Sequence, residues 1–450
     1  MLPLPRLAVG MVQPDVGCRA ICWALMEAFR SEGLQVQSFL SQPCFHKCHG
    51  VAAASGLQPR HLDSWLMSAE ICREIFIHGA ESCDLAIVQG RFASACPDRP
   101  QAGGSLETLC SWLDLPTLVV LDVSRIDQQE LPDRPDPLDG VLLDRVRDSR
   151  HLARVSALVE SRWGVPVLGG LEELSPLRSE IDASREGSSP SREWCQCLGS
   201  RFLEHSQPNR VLQLALRREL ASVPPRLFTL PSAPSRLVIG LAFDEAFNCY
   251  FRDALDLLES RGVTFVDFSP LRDERLPAEA DIVYLGCGHP ERFAADLSRN
   301  DCMKLALRDH LRNGGRIYAE GGGLAYLCQQ IEVAPGECWR MVGVFPAVAR
   351  LDQSAQPLTP VEVTLDRTTW LAPRGARLRG YRNSSWRLEP AGTLNGCVAE
   401  ADHRYELVES SRAVGSRLHL NFAAQPDLLP GFFDPHSTCA EPADPWSFGQ

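Results

Sequence analysis

Short apolar runs separated by helical patterns occupy the first part of the chain. Each run has the length of one strand, and the segments between the runs carry apolar residues at helical spacing. This alternation is typical of parallel α/β sheets, because two parallel strands need a crossover between them that is usually a helix. The predicted strands of this half are Leu7–Gly10, Val36–Leu40, Leu85–Val88, Thr117–Asp122, Gly140–Leu143 and Val165–Leu168.

A second set of alternating strands and helices follows in the other half of the chain. Residues 172–235 lie between the two sets, are rich in Ser, Pro and charged residues, and are predicted to be an irregular linker region. We therefore predict one domain over 1–171, a second over 236–434 and a flexible tail over 435–450. The predicted strands of the second domain are Arg236–Ala242, Thr264–Phe268, Ile282–Leu285 and Arg316–Tyr318, followed by a β-like segment over 341–422.

The stretch Ile317–Leu327 predicts a strand that runs through a tight glycine turn into a helix. Glycine permits a positive φ and a close backbone approach, so Gly321, Gly322 and Gly323 allow such a turn. This local shape normally presents a nucleophile, which must be a thiol or a hydroxyl if it is to attack a carbonyl. No such group is present at the turn.

Composition narrows the class of protein. The chain has 450 residues, which is too long for one ordinary core and favours two to three domains. A net charge of -12 argues against a nucleic-acid partner. The 17 cysteines are odd in number and scattered, which favours reduced thiols in the cytoplasm. No signal peptide and no membrane-spanning run is recognised, so we predict a cytoplasmic protein with no membrane association.

Ordered segments in both halves carry a resemblance to a known family. In this order the segments resemble the cobyrinic acid a,c-diamide synthase family, which joins an ATP-dependent amide-ligase domain of P-loop type to a class I glutamine amidotransferase domain. The resemblance implies an α/β fold with a P-loop-type parallel sheet domain followed by a class I glutamine amidotransferase-like (flavodoxin-like) α/β domain. The segments are Arg60–Met67, Leu121–Ser124, Gly140–Val146, Val165–Gly169, Asp244–Phe251, Phe268–Asp273, Tyr284–Glu291, Met341–Pro346, Leu378–Tyr381 and Gly415–Phe422.

The resemblance also implies where a glutaminase centre would lie. The family's nucleophilic thiol falls at Gly321, so the nucleophile position is lost, and its histidine falls at His419, which is left as a relict. Gly286–Gly288 resembles the family's oxyanion loop. Cys287 in that loop is the single plausible substitute nucleophile, with simple packing as the alternative. Cys328 lies roughly 10 Å along the following helix and is excluded.

The nucleotide site is altered in the same way. The resemblance places the phosphate-binding loop at 15–19, where Gly17 remains but Cys18 replaces the lysine and Arg19 replaces the magnesium-binding hydroxyl. Neutral Gln89 stands where the family has an acidic residue. The weak candidates for cofactor binding are therefore Gly17, Asp122 and Asp144, with helix capping or strand-end hydrogen bonds as the alternative for the two aspartates.

One cluster of soft ligands lies in a segment that the resemblance places beside the nucleotide. Two thiols and two imidazoles within a few residues suit Zn²⁺, although the spacing matches no standard zinc module and Lys47 would repel the ion. We predict no metal site, and keep this loop as the weak alternative. The residues are Cys44, His46, Cys48 and His49.

Two functions follow from these observations. The resemblance implies a glutamine-dependent amide ligase of cobalamin or related tetrapyrrole synthesis that uses ATP and magnesium. The lost nucleophile and altered phosphate loop instead predict a non-catalytic relative, a pseudoenzyme that serves as a scaffold or binds a protein partner or a tetrapyrrole. The alternative is an ATP-dependent ligase of corrin or related tetrapyrrole carboxylates that uses free ammonia, which ATP binding would favour.

Overall fold

The computed structural model describes most of the chain and divides it into two compact units. These are an N-terminal unit, Met1–Arg226, and a C-terminal unit, Leu227–Gln450. The described residues are 4–13, 19–41, 45–92, 104–124, 126, 131–183, 189–221, 225–229, 235–352, 358–382, 385–398 and 405–433.

The N-terminal unit is built on a parallel seven-stranded sheet with the order β3-β2-β4-β1-β5-β6-β7. Its strands are β1 Arg6–Met11, β2 Val36–Leu40, β3 Arg60–His61, β4 Leu85–Arg91, β5 Thr117–Asp122, β6 Gly140–Val146 and β7 Val167–Glu172. Its helices are α1 Arg19–Ser31, α2 Phe45–Ser55, α3 Ala69–Ala80, α4 Leu106–Leu113, α5 Ser149–Trp163, α6 Ser175–Ala183, α7 Arg192–Glu204 and α8 Pro208–Ala215.

The sequence explains why these elements form. Strands β1, β2 and β5 are buried at every position, as expected for a parallel sheet covered on both faces. Several helices begin at a side-chain cap: the hydroxyl of Ser68 accepts a bond from the Ile71 amide, and Asp148 accepts one from the His151 amide. The predicted α/β class of this half is confirmed.

The segment predicted to be an irregular linker, 172–235, instead contains three helices among its described residues. Helix α7 begins at an N-cap, Ser191, and buries Leu198 and Phe202 in the core that also contains α1. Its charged residue Arg192 forms an ion pair with Glu27 of α1, whose side chain is almost fully buried. Helix α7 is amphipathic with a narrow apolar face, and its many charged and small residues resemble those of a linker. The linker prediction was therefore wrong.

The C-terminal unit contains a second seven-stranded sheet, with the order β10-β8-β11-β13-β22-β21-β20. Adjacent strands in the series β10, β8, β11, β13 and β22 pair in parallel. Strands β21 and β20 complete one edge of the sheet in antiparallel pairing. Three smaller sheets have the orders β12-β9, β15-β14-β16-β19 and β17-β18-β23. The helices are α9 Arg252–Ser260, α10 Ala294–Arg299, α11 Asp301–Arg312, α12 Gly322–Leu327 and α13 Pro430–Phe433.

The strands of this unit bear out the predicted β-rich character of 341–422. They are β8 Val238–Ala242, β9 Phe247–Cys249, β10 Thr264–Phe268, β11 Ile282–Leu285, β12 Cys287–Gly288, β13 Arg316–Glu320, β14 Cys328–Ala334, β15 Glu337–Arg340, β16 Phe345–Leu351, β17 Thr359–Thr364, β18 Arg377–Arg382, β19 Trp386–Pro390, β20 Asn395–Gly396, β21 Leu407–Ser410, β22 Ala413–Ser416 and β23 Leu418–His419. The predicted flexible tail over 435–450 lies outside the described residues. Within the described ranges, no helix is long and apolar enough to cross a membrane.

Candidate functional site

The glycine turn after β13 has the backbone shape that the sequence predicts. Gly321 caps α12 with φ 49° and ψ -107°, a conformation that residues with a Cβ rarely adopt. The Gly321 amide donates to the carbonyl of Ser416 at 2.9 Å, and the Gly321 carbonyl accepts from the Ala325 amide at 3.0 Å. The strand, turn and helix are therefore rigidly joined, with a glycine where the family's thiol would stand.

Gly322 and Gly323, the next two residues, allow the first turn of α12 to pack closely against the loop that follows β11. A Cβ on Gly322 would lie 2.7 Å from Cδ of Pro290, and one on Gly323 would lie 2.3 Å from the carbonyl oxygen of Leu285. Both distances are too short for real side chains. The Gly323 amide donates to the Gly286 carbonyl at 3.2 Å. The glycine run thus fixes the elbow against the loop that follows β11.

That loop, Gly286–Gly288, is held on its other side by β9. Cys287 is paired with Cys249 in the short antiparallel ladder of β12 and β9. The Gly286 amide donates to the hydroxyl of Tyr250 at 3.1 Å, and that hydroxyl donates to the carbonyl of Ala242. The Gly286 amide is therefore occupied in this structure and does not point into an open oxyanion hole.

Three buried side chains meet beside the elbow. The thiol of Cys287 is in direct contact with Nδ1 of His419 and lies 3.5 Å from Nε2 of the same ring. Oε2 of Glu320 lies 3.7 Å from the Cys287 sulfur and 3.6 Å from Nδ1 of His419. We call these three residues the Cys-Glu-His cluster. Its members come from β12, the end of β13 and the end of β23.

The cluster is shielded from solvent. Cys287, Glu320 and His419 are 3%, 2% and 1% exposed. Burial, and next the charge of Glu320, raise the pKa of the Cys287 thiol well above its usual value. The thiol is therefore protonated at neutral pH in this environment, which makes it a poor nucleophile.

Glu320 was missed as a site residue by the sequence reasoning. Its Oε1 accepts hydrogen bonds from the Tyr318 hydroxyl at 2.6 Å and from the Leu420 amide at 3.3 Å. The signal was available, since a carboxylate that directly follows the buried strand residues Ile317–Ala319 must find partners when it is buried too. The contact between Cys287 and His419 gives the substitute nucleophile a histidine partner, although the pair is closed to solvent.

Cys328 takes no part in the cluster. Helix α12 ends at Leu327, so Cys328 opens β14 instead of continuing the helix as predicted. Its thiol is fully buried and contacts the carbonyl of Leu324 at 3.4 Å. Burial raises the pKa of this thiol too. The side chain packs as a small apolar group.

In the N-terminal unit, Gly17 and the rest of 14–18 lie outside the described residues. The ends of β1 and β5 are tied together by Gln13, whose amide nitrogen donates to the Asp122 carbonyl at 3.0 Å and whose amide oxygen accepts from the Asp122 amide at 2.7 Å. The Asp122 carboxylate caps the Ser124 amide at 2.8 Å and pairs with Arg145 at 3.2 Å. Asp122 therefore makes the strand-end hydrogen bond that was weighed as its alternative role.

The other acidic candidate is also paired with an arginine. Asp144 is fully buried, and Arg178 of α6 donates to its two oxygens at 2.5 and 3.2 Å. Gln89 donates to the Ser38 hydroxyl at 2.5 Å. Asp122 and Asp144 both face guanidinium groups, and Gln89 carries no charge. These described residues do not fit a magnesium site, which needs uncompensated oxygen ligands.

The weak zinc candidate falls largely outside the described part of the chain. Cys44 is not described, and the side chains of His46, Cys48 and His49 are not described either. The backbone of 45–49 belongs to helix α2 and not to a loop as predicted. The helix-forming alanines at 52–54 extend this segment into a regular helix.

The fold and the elbow define the class of the C-terminal unit as glutamine amidotransferase-like. The CobB/CobQ-like glutamine amidotransferase domain family matches residues 238–426. A solved glutamine amidotransferase is aligned over 44% of this chain and 97% of its own at 16% identity, with a TM-score of 0.34, a likeness too weak to carry a conclusion.

Proteins that are similar to this chain over almost its whole length identify the particular family. The cobyrinate a,c-diamide synthase of Syntrophotalea carbinolica is 31% identical over 456 residues, covering 96% of this chain and 98% of the relative. The enzyme of the same name from Leptospira interrogans serovar copenhageni is 30% identical over 451 residues, with the same two coverages. The chain therefore belongs to the cobyrinate a,c-diamide synthase family.

Proposed function

We propose that this protein is a member of its family that has lost glutamine hydrolysis and serves cobalamin or related tetrapyrrole metabolism by binding. Its partner is a tetrapyrrole carboxylate of the cobyrinate type or another protein of that pathway. The observation that carries the proposal is Gly321 at the elbow, where the backbone turn is retained and the attacking thiol is absent. Glutaminase chemistry of this kind requires a covalent thioester, which a glycine cannot form.

The Cys-Glu-His cluster supports the same conclusion. Cys287 is the described thiol that contacts His419, and it is 3% exposed with a raised pKa. A substrate amide would have to reach a sulfur that solvent hardly touches. The purified protein is therefore expected to release no glutamate from glutamine above background. Release that disappears in a Cys287→Ala variant would contradict the proposal.

The complementary experiment restores the missing thiol. Gly321→Cys puts a thiol at the elbow, where φ 49° and ψ -107° keep the strained turn between strand and helix. We expect a trace of glutamate release from this variant, because the chain still contains His419 beside the elbow. The matched control is the Gly321→Ser variant, whose hydroxyl is a weaker nucleophile. Equal activity in both variants would indicate that the release does not come from the new thiol.

Nucleotide use is tested separately. At the described strand ends Asp122 and Asp144 already pair with Arg145 and Arg178, so neither carboxylate is available to hold magnesium. We expect isothermal titration to give a dissociation constant above about 1 mM for ATP with magnesium, because at least two charge-assisted contacts of a normal site are replaced. A micromolar dissociation constant would favour the ammonia-using ligase instead.

Ligand binding is tested by thermal shift. Cobyrinic acid is the probe, with sirohydrochlorin as a second tetrapyrrole. We expect one of them to raise the melting temperature of the full chain, because a ligand that binds the folded state stabilises it by mass action. If neither compound does so, and affinity purification recovers no protein of tetrapyrrole metabolism, the binding role is wrong.

A further inference from the structure

The Cys-Glu-His cluster unites three kinds of metal ligand. Cys287 offers a thiol, Glu320 a carboxylate and His419 an imidazole, and one ligand atom from each lies within 4.8 Å of the others. The three side chains come from three different strands, β12, β13 and β23. Rigid strands hold ligands more accurately than loops do.

We propose that Cys287, Glu320 and His419 bind a divalent transition metal ion, with Zn²⁺ the best match. A thiolate, a carboxylate and an imidazole form a standard mixed ligand set for zinc, in which three protein ligands leave a fourth position for water or another molecule. The site would occupy the place where the family has its glutaminase centre. This inference goes beyond the proposed function and holds whether or not glutamine is hydrolysed.

Two of the three distances between the ligand atoms match a tetrahedral site. Zinc bonds of about 2.0–2.3 Å place tetrahedral ligand atoms about 3.4–3.6 Å apart. The sulfur of Cys287 lies 3.7 Å from Oε2 of Glu320, and Oε2 lies 3.6 Å from Nδ1 of His419. The contact between the sulfur and Nδ1 is closer than that, so metal entry requires the thiol to move away from the ring.

Charge balance gives a second argument. Glu320 is 2% exposed, and its described hydrogen-bond donors at Oε1 are a tyrosine hydroxyl and a backbone amide, which are neutral. Among the described residues, no lysine or arginine forms an ion pair with Glu320. A buried carboxylate without a permanently charged partner is costly, and the described ring beside it is that of His419. A divalent ion would supply the missing charge and would deprotonate the Cys287 thiol on binding.

The rival explanation is a metal-free cluster in which the ring of His419, 3.6 Å from Oε2, is itself the partner of Glu320. Both arrangements satisfy the carboxylate, but they differ in the response to added metal. The metal-free cluster binds none, whereas the proposed site binds one ion and releases the thiol proton. Metal titration therefore separates them without any assay of activity.

The experiment uses the full chain after treatment with a chelator. Addition of Zn²⁺ is expected to give one tightly bound ion at the cluster, and replacement by Co²⁺ is expected to give the near-ultraviolet absorption of a thiolate-to-cobalt bond. Cys287→Ser should remove that absorption. Glu320→Gln, which keeps an acceptor for Tyr318 and Leu420, should weaken the affinity at least about tenfold, since even outer-shell changes cost that much.

Two controls separate this site from other thiols. Cys328→Ser removes a buried thiol of the same unit that is not in the cluster, and a Cys44→Ser, Cys48→Ser double variant removes the thiols of the weak candidate near α2. Both variants should keep the full cobalt absorption. If Cys287→Ser unfolds, as judged by circular dichroism, the Glu320→Gln affinity decides. The proposal is overturned if Cys287→Ser and Glu320→Gln bind the metal as tightly as the wild type does. It is also overturned if about 10 µM free metal leaves the wild type empty.

Discussion

Two buried carboxylates, one in each unit, are satisfied in opposite ways. Asp144 in β6 is fully buried and receives two hydrogen bonds from the guanidinium of Arg178. Glu320 in β13 is 2% exposed and receives its bonds from Tyr318 and from the Leu420 amide, with the thiol of Cys287 and the ring of His419 beside it. The first is closed by a fixed cation, and the second is not.

The difference between the two carboxylates decides whether each one is able to bind a further cation. A carboxylate paired with a guanidinium has its charge and its hydrogen-bonding capacity used up, so it is a structural group. A carboxylate that faces neutral donors, a thiol and an imidazole keeps the capacity to hold a cation. Asp122 and Asp144 at the described strand ends of the N-terminal unit are therefore paired with arginines, whereas Glu320 beside the elbow faces neutral donors, a thiol and an imidazole.

The largest effect is expected from breaking the closed pair. Arg178→Met leaves the Asp144 charge buried without a partner, and should lower the free energy of unfolding of the N-terminal unit by about 3–5 kcal/mol. Urea denaturation with hydrogen exchange of β6 peptides would measure it. The control is Arg201→Met, which removes an ion pair with Glu204 whose two side chains are 47% and 51% exposed, and should cost about 0.5 kcal/mol or less. Equal effects would show that Asp144 does not depend on its arginine.

A smaller effect is expected from a buried histidine whose pKa is lowered by burial. Burial lowers the pKa of His61 in β3 from 6.5 to about 3, so the folded protein holds it neutral. The unfolded chain binds the proton first, and stability is lost as the pH falls below 6.5. At about pH 4.5 the loss is about 2.7 kcal/mol.

His61→Leu should remove this part of the pH dependence. Urea denaturation of both proteins between about pH 4.5 and 7 would give the two slopes. Parallel curves would mean that burial does not keep His61 neutral in the folded protein, and that its pKa is not lowered on folding.

The smallest effect is expected at the elbow itself. Gly321→Ala forces a side chain into φ 49° and ψ -107°, which should cost about 1–3 kcal/mol. The control is Gly240→Ala in β8, where a Cβ would meet Ala280 at an ordinary 3.4 Å, and the change should be about 0.5 kcal/mol or less. A denaturant midpoint that does not move in Gly321→Ala would show that the turn relaxes easily and holds Glu320 less firmly than the structure indicates.

Local pattern was sufficient for much of the fold. The apolar runs of β1, β2 and β5 are continuous, because a parallel strand is buried on both faces, and the sequence placed them within a residue or so of their bounds. The turn at Gly321 was also visible, since consecutive glycines between a strand and a helix have a specific steric purpose. Helix α7 was not recognised, because the partner that covers its narrow apolar face is α1, far away in the sequence.

The sequence by itself determined the family, the alternating α/β pattern of the two units, and the absence of a thiol at the elbow, because these depend on residue identity and on short-range spacing. Only the tertiary structure decided which side chains meet. Cys287 and His419 are 132 residues apart, and Cys287 and Glu320 are 33 apart, yet strands of three different sheets bring their polar atoms together. Such contacts arise from the way separate sheets pack in the fold, which joins residues that no local pattern relates.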